Sequence, residues 1–244
     1  MVLRSSYFIL RRMMREYVSL SILLLTPLAL ITVLGLIADD AVNEATGLLY
    51  KAHVSVTLIL AFQLFGGFYT MEFIRNDLFT AKRWRMHALP YHVSSHAFSI
   101  VLTSTIFSIL QGLVLMMYTY FVYGVDWGNP FFALGGLAAV AVFSQLVFLN
   151  LVLGVKNYKT AERAGTTFGF LSIILAETWF SLPDQRFFTF LSTYGNPLSL
   201  GETIMHAGMH GENIQQAFIS LAILIGMAAI LIVLAWNTGR RRIG

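Results

Sequence analysis

Residues 97–125 read AFSIVLTSTIFSILQGLVLMMYTYFVYGV, and this stretch decides the class of the fold. It contains no Asp, Glu, Lys, Arg or His. At about 1.5 Å of rise per residue, a helix of that length outruns the roughly 30 Å hydrocarbon core of a bilayer. A membrane β-strand would be about 10 residues long and would alternate apolar with polar side chains, which this stretch does not do. In lipid the backbone has no water to pair with, so such a run is predicted to be a helix that satisfies its own hydrogen bonds.

Five further stretches share this character, at about 18–38, 52–71, 131–155, 164–182 and 217–237. The second carries only His53 near its start and the fifth only Glu177 near its end. The composition agrees. Apolar residues make up 57% of the 244 and charged residues 11%, where a soluble domain carries about 25% charge. Mean hydropathy is +0.72, which also excludes a disordered chain. The predicted fold is an all-α polytopic membrane protein, one permease-like domain over 1–244 with six transmembrane helices. The run 18–38 is longer than the core of a signal peptide and no small-x-small site follows it, so it is expected to be retained. With no cysteine there is no disulfide, no thiolate metal site and no thiol nucleophile.

Fourteen of the sixteen Lys and Arg residues fall before the first stretch, between the second and third, between the fourth and fifth, or after the sixth. The alternate connections hold only Lys51 and Arg186. Basic residues are retained on the cytoplasmic side, which places both termini and the two basic loops there.

Three segments outside the apolar runs carry further information. Residues 1–17 are expected to form an interfacial helix. At 100° per residue Leu3, Tyr7, Leu10, Met13, Met14 and Tyr17 gather on one face, with Arg4, Arg11, Arg12 and Arg15 on the other against anionic lipid. Phe8 and Ile9 fall off that apolar face. The loop 72–96 holds Glu72 and Arg75 at helical spacing, then Asp77, Lys82, Arg83, Trp84 and Arg85, and Pro90 as a stop. It is longer than joining two antiparallel helices requires, so it is expected to contact a partner. Segment 183–216 alternates Phe187, Phe188, Phe190 and Leu191 with the breakers Pro183, Gly195, Asn196, Pro197 and Gly201. Short re-entrant helices in the outer leaflet, or a lid on the membrane surface, would suit that pattern.

This arrangement resembles the type-2 ATP-binding-cassette (ABC) export permeases, which have an elbow helix, six spans, a cytoplasmic coupling helix after span two and re-entrant helices before span six. The similar motifs are Glu72 with Arg75 and then Leu89-Pro90, Leu182-Pro183 after the fifth stretch, and Asn196-Pro197-Leu198 before the sixth. Leu78 stands near a place where the family often has glycine, and His92 and Ser95 where a basic residue often follows the proline. The resemblance implies a half-transporter that pairs with a second copy or paralogue and docks on a separate ATPase. Glu72, Arg75, Asp77, Lys82, Arg83, Trp84 and Arg85 would be the coupling residues. ATP and Mg would bind the partner, and no cofactor this chain. Consistently, the chain has no Gly-x-x-x-x-Gly-Lys-Ser/Thr phosphate loop. With few charges in the apolar runs, an amphipathic or hydrophobic cargo is expected: a peptide antibiotic, a drug or a lipid-linked molecule.

Other residues qualify on chemistry alone. Glu177 is the one carboxylate within an apolar stretch, and a secondary carrier would use it. Pro27 frees backbone carbonyls inside the first stretch, and with Pro183, Asn196 and Pro197 it is a pathway or gating candidate. Gly165 and Gly169 let helices approach closely, either within the chain or at the dimer interface that spans one and five flank in similar exporters. Glu202, His206 and His210 share a helix face at metal-ligand spacing, but without the His-Glu-x-x-His pattern they are read as incidental, and no metal is expected. None of the motifs of an intramembrane hydrolase is present. A structural or immunity-type membrane protein needs no motif, and only a bound ATPase separates it from a permease.

Overall fold

The computed structural model of the chain describes residues 2–37, 49–80, 92–177, 183 and 185–243. Among them 88% are helical and none lies in a strand. The helices are α1 (Val2–Met13), α2 (Tyr17–Ile37), α3 (Tyr50–Phe65), α4 (Gly67–Leu78), α5 (Val93–Tyr123), α6 (Pro130–Gly154), α7 (Tyr158–Leu175), α8 (Arg186–Phe190), α9 (Pro197–His210) and α10 (Ile214–Ile243). One π turn, Leu191–Gly195, joins α8 towards α9.

Among the described residues four helical stretches are long and apolar enough to cross a membrane: Tyr50–Leu78, Val93–Tyr123, Pro130–Gly154 and Ile214–Arg242. The second predicted run, 52–71, is therefore short of the helix at both ends, because α4 carries on through the charged turn Glu72–Asp77. The described apolar part of α2, Ser21–Ile37, falls just below that length. The fifth run, 164–182, corresponds to α7, which begins earlier in the polar residues Tyr158–Arg163 and ends at Leu175. Residues 178–182, with Leu182, lie outside the described residues.

α6 is central, packed against α10, α9, α4, α5 and α3. Its buried side includes Leu137, Val140, Ser144, Gln145 and Phe148. Bulky apolar side chains also point out of the bundle, Leu36 (78% exposed), Phe121 (74%) and Ile230 (62%) among them. Exposed apolar surface on that scale is what lipid, not water, would solvate.

Small residues and single polar groups hold the helices together, as expected where lipid gives helix association no hydrophobic drive. The α3–α4 junction passes so close to its neighbours that a Cβ on Gly66 would overlap Ser108, and one on Gly67 would overlap Phe148. Gln63 donates to the Ser108 carbonyl at 2.9 Å, and Thr70 donates to Gln145 at 2.7 Å. Asn150 ties α6 to α10 through the Leu231 carbonyl at 2.9 Å. α2 runs through Pro27 without a break. Pro27 has no N–H, so it leaves the carbonyl of Leu23 without its helical partner, and Gln111 of α5 donates to that carbonyl at 2.7 Å.

Candidate functional site

The predicted coupling residues divide between the end of α4 and residues outside the description. Lys82, Arg83, Trp84, Arg85, Leu89 and Pro90 fall in 81–91, beyond the described residues. Glu72, Arg75 and Asp77 occupy the last turns of α4, but they face different ways. Arg75 is exposed, and its guanidinium lies 3.9 Å from the centre of the Tyr158 ring at the start of α7. Burial, followed by the charges of Glu162 and Glu72, pushes the Tyr158 phenol up to about 12, so this ring stays a neutral platform for the cation.

Asp77 turns inward and is only 7% exposed. Arg12 of α1 donates to both carboxylate oxygens, at 2.9 and 3.1 Å, and the His96 ring nitrogen of α5 lies 3.0 Å from one of them. The Arg12 guanidinium also sits 4.2 Å from the centre of the Phe73 ring. One carboxylate thus joins α1, α4 and α5.

This reveals how α1 is used. It packs through Ser6, Ile9 and Met13: Met13 belongs to the apolar face expected from sequence, and Ile9, which falls off that face, is buried with it. Tyr7 and Met14 are more than half exposed, and Arg11 and Arg15 lie beside them. Around the helix, a protein-facing sector, an exposed apolar sector and a basic sector follow one another. Arg12 leaves the basic sector to reach Asp77. Arg4 belongs to α1 as well.

The chain's last helix closes the same end. Arg242 donates to the carbonyls of Val152, Leu153 and Val155 at 2.7–2.8 Å, capping α6. Its guanidinium also lies 4.6 Å from the centre of the Phe79 ring. Between Phe68 of α4 and the first half of α7 an open cleft of about 630 Å³ is lined by Phe68, Lys159, Glu162, Arg163, Thr166 and Thr167. The result is a basic end whose inward charges are tied while Arg11, Arg15, Arg75, Lys159 and Arg163 remain exposed.

The other sequence candidates are dispersed. Gly165 and Gly169 pack within the chain, against Phe148 and Phe65. Glu177 is exposed just past the end of α7, with a positive φ of 55°. Pro183 is exposed. Asn196 is buried, caps α9 by accepting from the Leu198 N–H at 3.2 Å, and donates to the Ser172 carbonyl at 2.9 Å, which ties α9 to α7. Pro197 takes the first helical position, where a missing N–H costs nothing.

At the end opposite the basic one, sequence reasoning missed a pairing. α9 is buried against α3, α6 and α10, and its Glu202 accepts a hydrogen bond from Thr57 of α3. One turn on, the ring centres of His206 and His53 are 5.4 Å apart. The i, i+4 spacing of Glu202 and His206 was legible, but their partners lie about 150 residues away in sequence and carry no signature. Among the described residues no group of three or more His, Asp or Glu is placed to hold a metal ion.

No family model matches the chain, and no curated protein matches it.

Proposed function

We propose that this chain is the membrane-spanning subunit of an ABC exporter. It would move an amphipathic or hydrophobic molecule across the cytoplasmic membrane with ATP hydrolysed on a separate subunit. In this reading α2 and α7 complete six spans with the four long apolar helices, both termini and the basic end face the cytoplasm, α1 lies at the lipid interface, and α8–α9 form the re-entrant segment. Two copies, or a copy and a paralogue, would enclose the path. A peptide antibiotic, a drug or a lipid-linked molecule would be the cargo.

One observation supports this reading above the others. The charged turn that leads into 79–92 is the continuation of the span Tyr50–Leu78, and Asp77 ties it to α1 and α5. A push on that loop would reach three helices at once. Arg75, Glu72 and residues 82–85 would meet the ATPase, while Asp77 would carry load inside the chain. Glu177, on which the carrier alternative rests, is exposed at a helix end.

The test is to purify the tagged chain from its native membranes in mild detergent and look for a co-purifying phosphate-loop ATPase. The ATPase should appear with the natural chain and be lost from the Arg75→Glu, Arg83→Glu double variant. A chain that brings down no ATPase, with or without ATP and Mg, would overturn the proposal.

A further inference from the structure

The face between α3 and α9 holds two matched pairs of polar side chains. His53 and Thr57 are one turn apart on α3, as are Glu202 and His206 on α9, and the two pairs meet in register. Thr57 donates to Glu202, and His53 faces His206 with ring planes inclined at 38°. The Nδ1 of His53 and the Nε2 of His206 are both sealed from solvent and have no hydrogen-bond partner. A buried nitrogen of this kind is costly to leave unpaired, and the cost has to be met by the packing around it.

The surroundings supply little charge to a cation. His210 continues the α9 face and is exposed, and Lys51 lies on the last turn before His53. Tyr123 ends α5 and Asp126 lies in the exposed connection to α6. α6 has no ionisable residue, and α10 has none before Arg240 at the far end. Glu177 is exposed. Glu202 is the one acid on the packed face.

We propose that His53 and His206 form a proton-binding latch, which holds α9 against α3 while both imidazoles are neutral and releases it when they are protonated. Two imidazolium ions at this separation repel, and the sealed nitrogen of each ring cannot be solvated while the helices stay packed. Opening the contact lets water reach both rings, so the open arrangement binds more protons than the closed one. By linkage, acid favours opening and alkali favours closure. Thr57 and Glu202, one turn deeper, act as the hinge side of the contact. The latch does not depend on the exporter reading and can be tested without an ATPase.

The natural absence of cysteine makes spin labelling direct. Cysteines replacing Tyr50 and Glu212, both exposed, would carry labels at the two helix ends, and the full chain would be studied in lipid nanodiscs. Between about pH 8 and about pH 5, the range in which an ordinary histidine titrates, the label separation should gain a second, longer population. His53→Gln with His206→Gln should abolish that change, and His210→Gln should leave it intact. His53→Phe alone, which puts an aromatic ring in place of one imidazole, should also abolish it and serves if the double variant does not fold. A distance unchanged by pH in the natural chain would overturn the proposal. So would a pH response that survives loss of both histidines, or one lost with His210 alone.

Discussion

The two ends of the helical bundle handle buried polarity in opposite ways. At the basic end Asp77 is met by Arg12 and His96, and Arg242 gives its guanidinium to three carbonyls. At the other end two imidazoles face each other with unpaired nitrogens, and a buried carboxyl has a single hydroxyl for company. Arginine cannot shed its charge, so burying part of it demands partners. Histidine can, so it tolerates burial without them until a proton arrives. The first end is therefore built to stay as it is, and the second to respond.

Removing Asp77 should give the largest effect. Asp77→Ala strands Arg12 and His96 and detaches α1, which should cost about 2 kcal/mol, reduced from the value for a fully buried pair because Arg12 is partly solvated. Thermal unfolding in detergent should show it, with earlier protease cleavage in α1. High salt should narrow the gap to the natural chain, and a gap indifferent to salt would mean the ion pair contributes little.

Thr57→Val tests the opposite end. It leaves the Glu202 carboxyl without its donor and should cost about 1 kcal/mol. Because no permanent ion pair is involved, the loss should be insensitive to salt, and equal salt dependence in the two variants would erase the contrast drawn above.

Glu16→Gln should have the smallest effect and a sign set by pH. Burial first, and the nearby Glu72 second, raise the Glu16 carboxyl above its ordinary range. A raised acid favours the folded chain only while protonated, and that advantage is lost as pH rises through its folded value. At neutral pH the variant should melt slightly higher than the natural chain. The difference should vanish below the ordinary glutamate range.

How much of this could be read from sequence depends on the range of the interaction. The apolar runs announced their helices because lipid forces backbone pairing within a segment. The outward charges of α4 were visible at helical spacing, whereas Asn196 and Pro197, which read as breakers, open α9, and Gly201 lies inside it. Three features were not legible. The packed face of α1 centres on Ile9, which amphipathic periodicity assigns to no face, because α1 meets protein on one side and an apolar surrounding on the next. Asp77 looks like its charged neighbours until the fold turns it towards Arg12, 65 residues earlier. Glu202 and His206 look incidental until α3 brings His53 and Thr57 alongside.

Phe148 has a mechanical consequence. Its ring is fully buried in α6, between the backbone of Gly67 on α4 and that of Gly165 on α7. A rigid ring meshed with two bare stretches of backbone works like a tooth between two racks. Neither α4 nor α7 can slide along α6 past that tooth on its own, so in the exporter reading a stroke delivered to the charged end of α4 would be geared to α7 and, through Asn196, onward to α9.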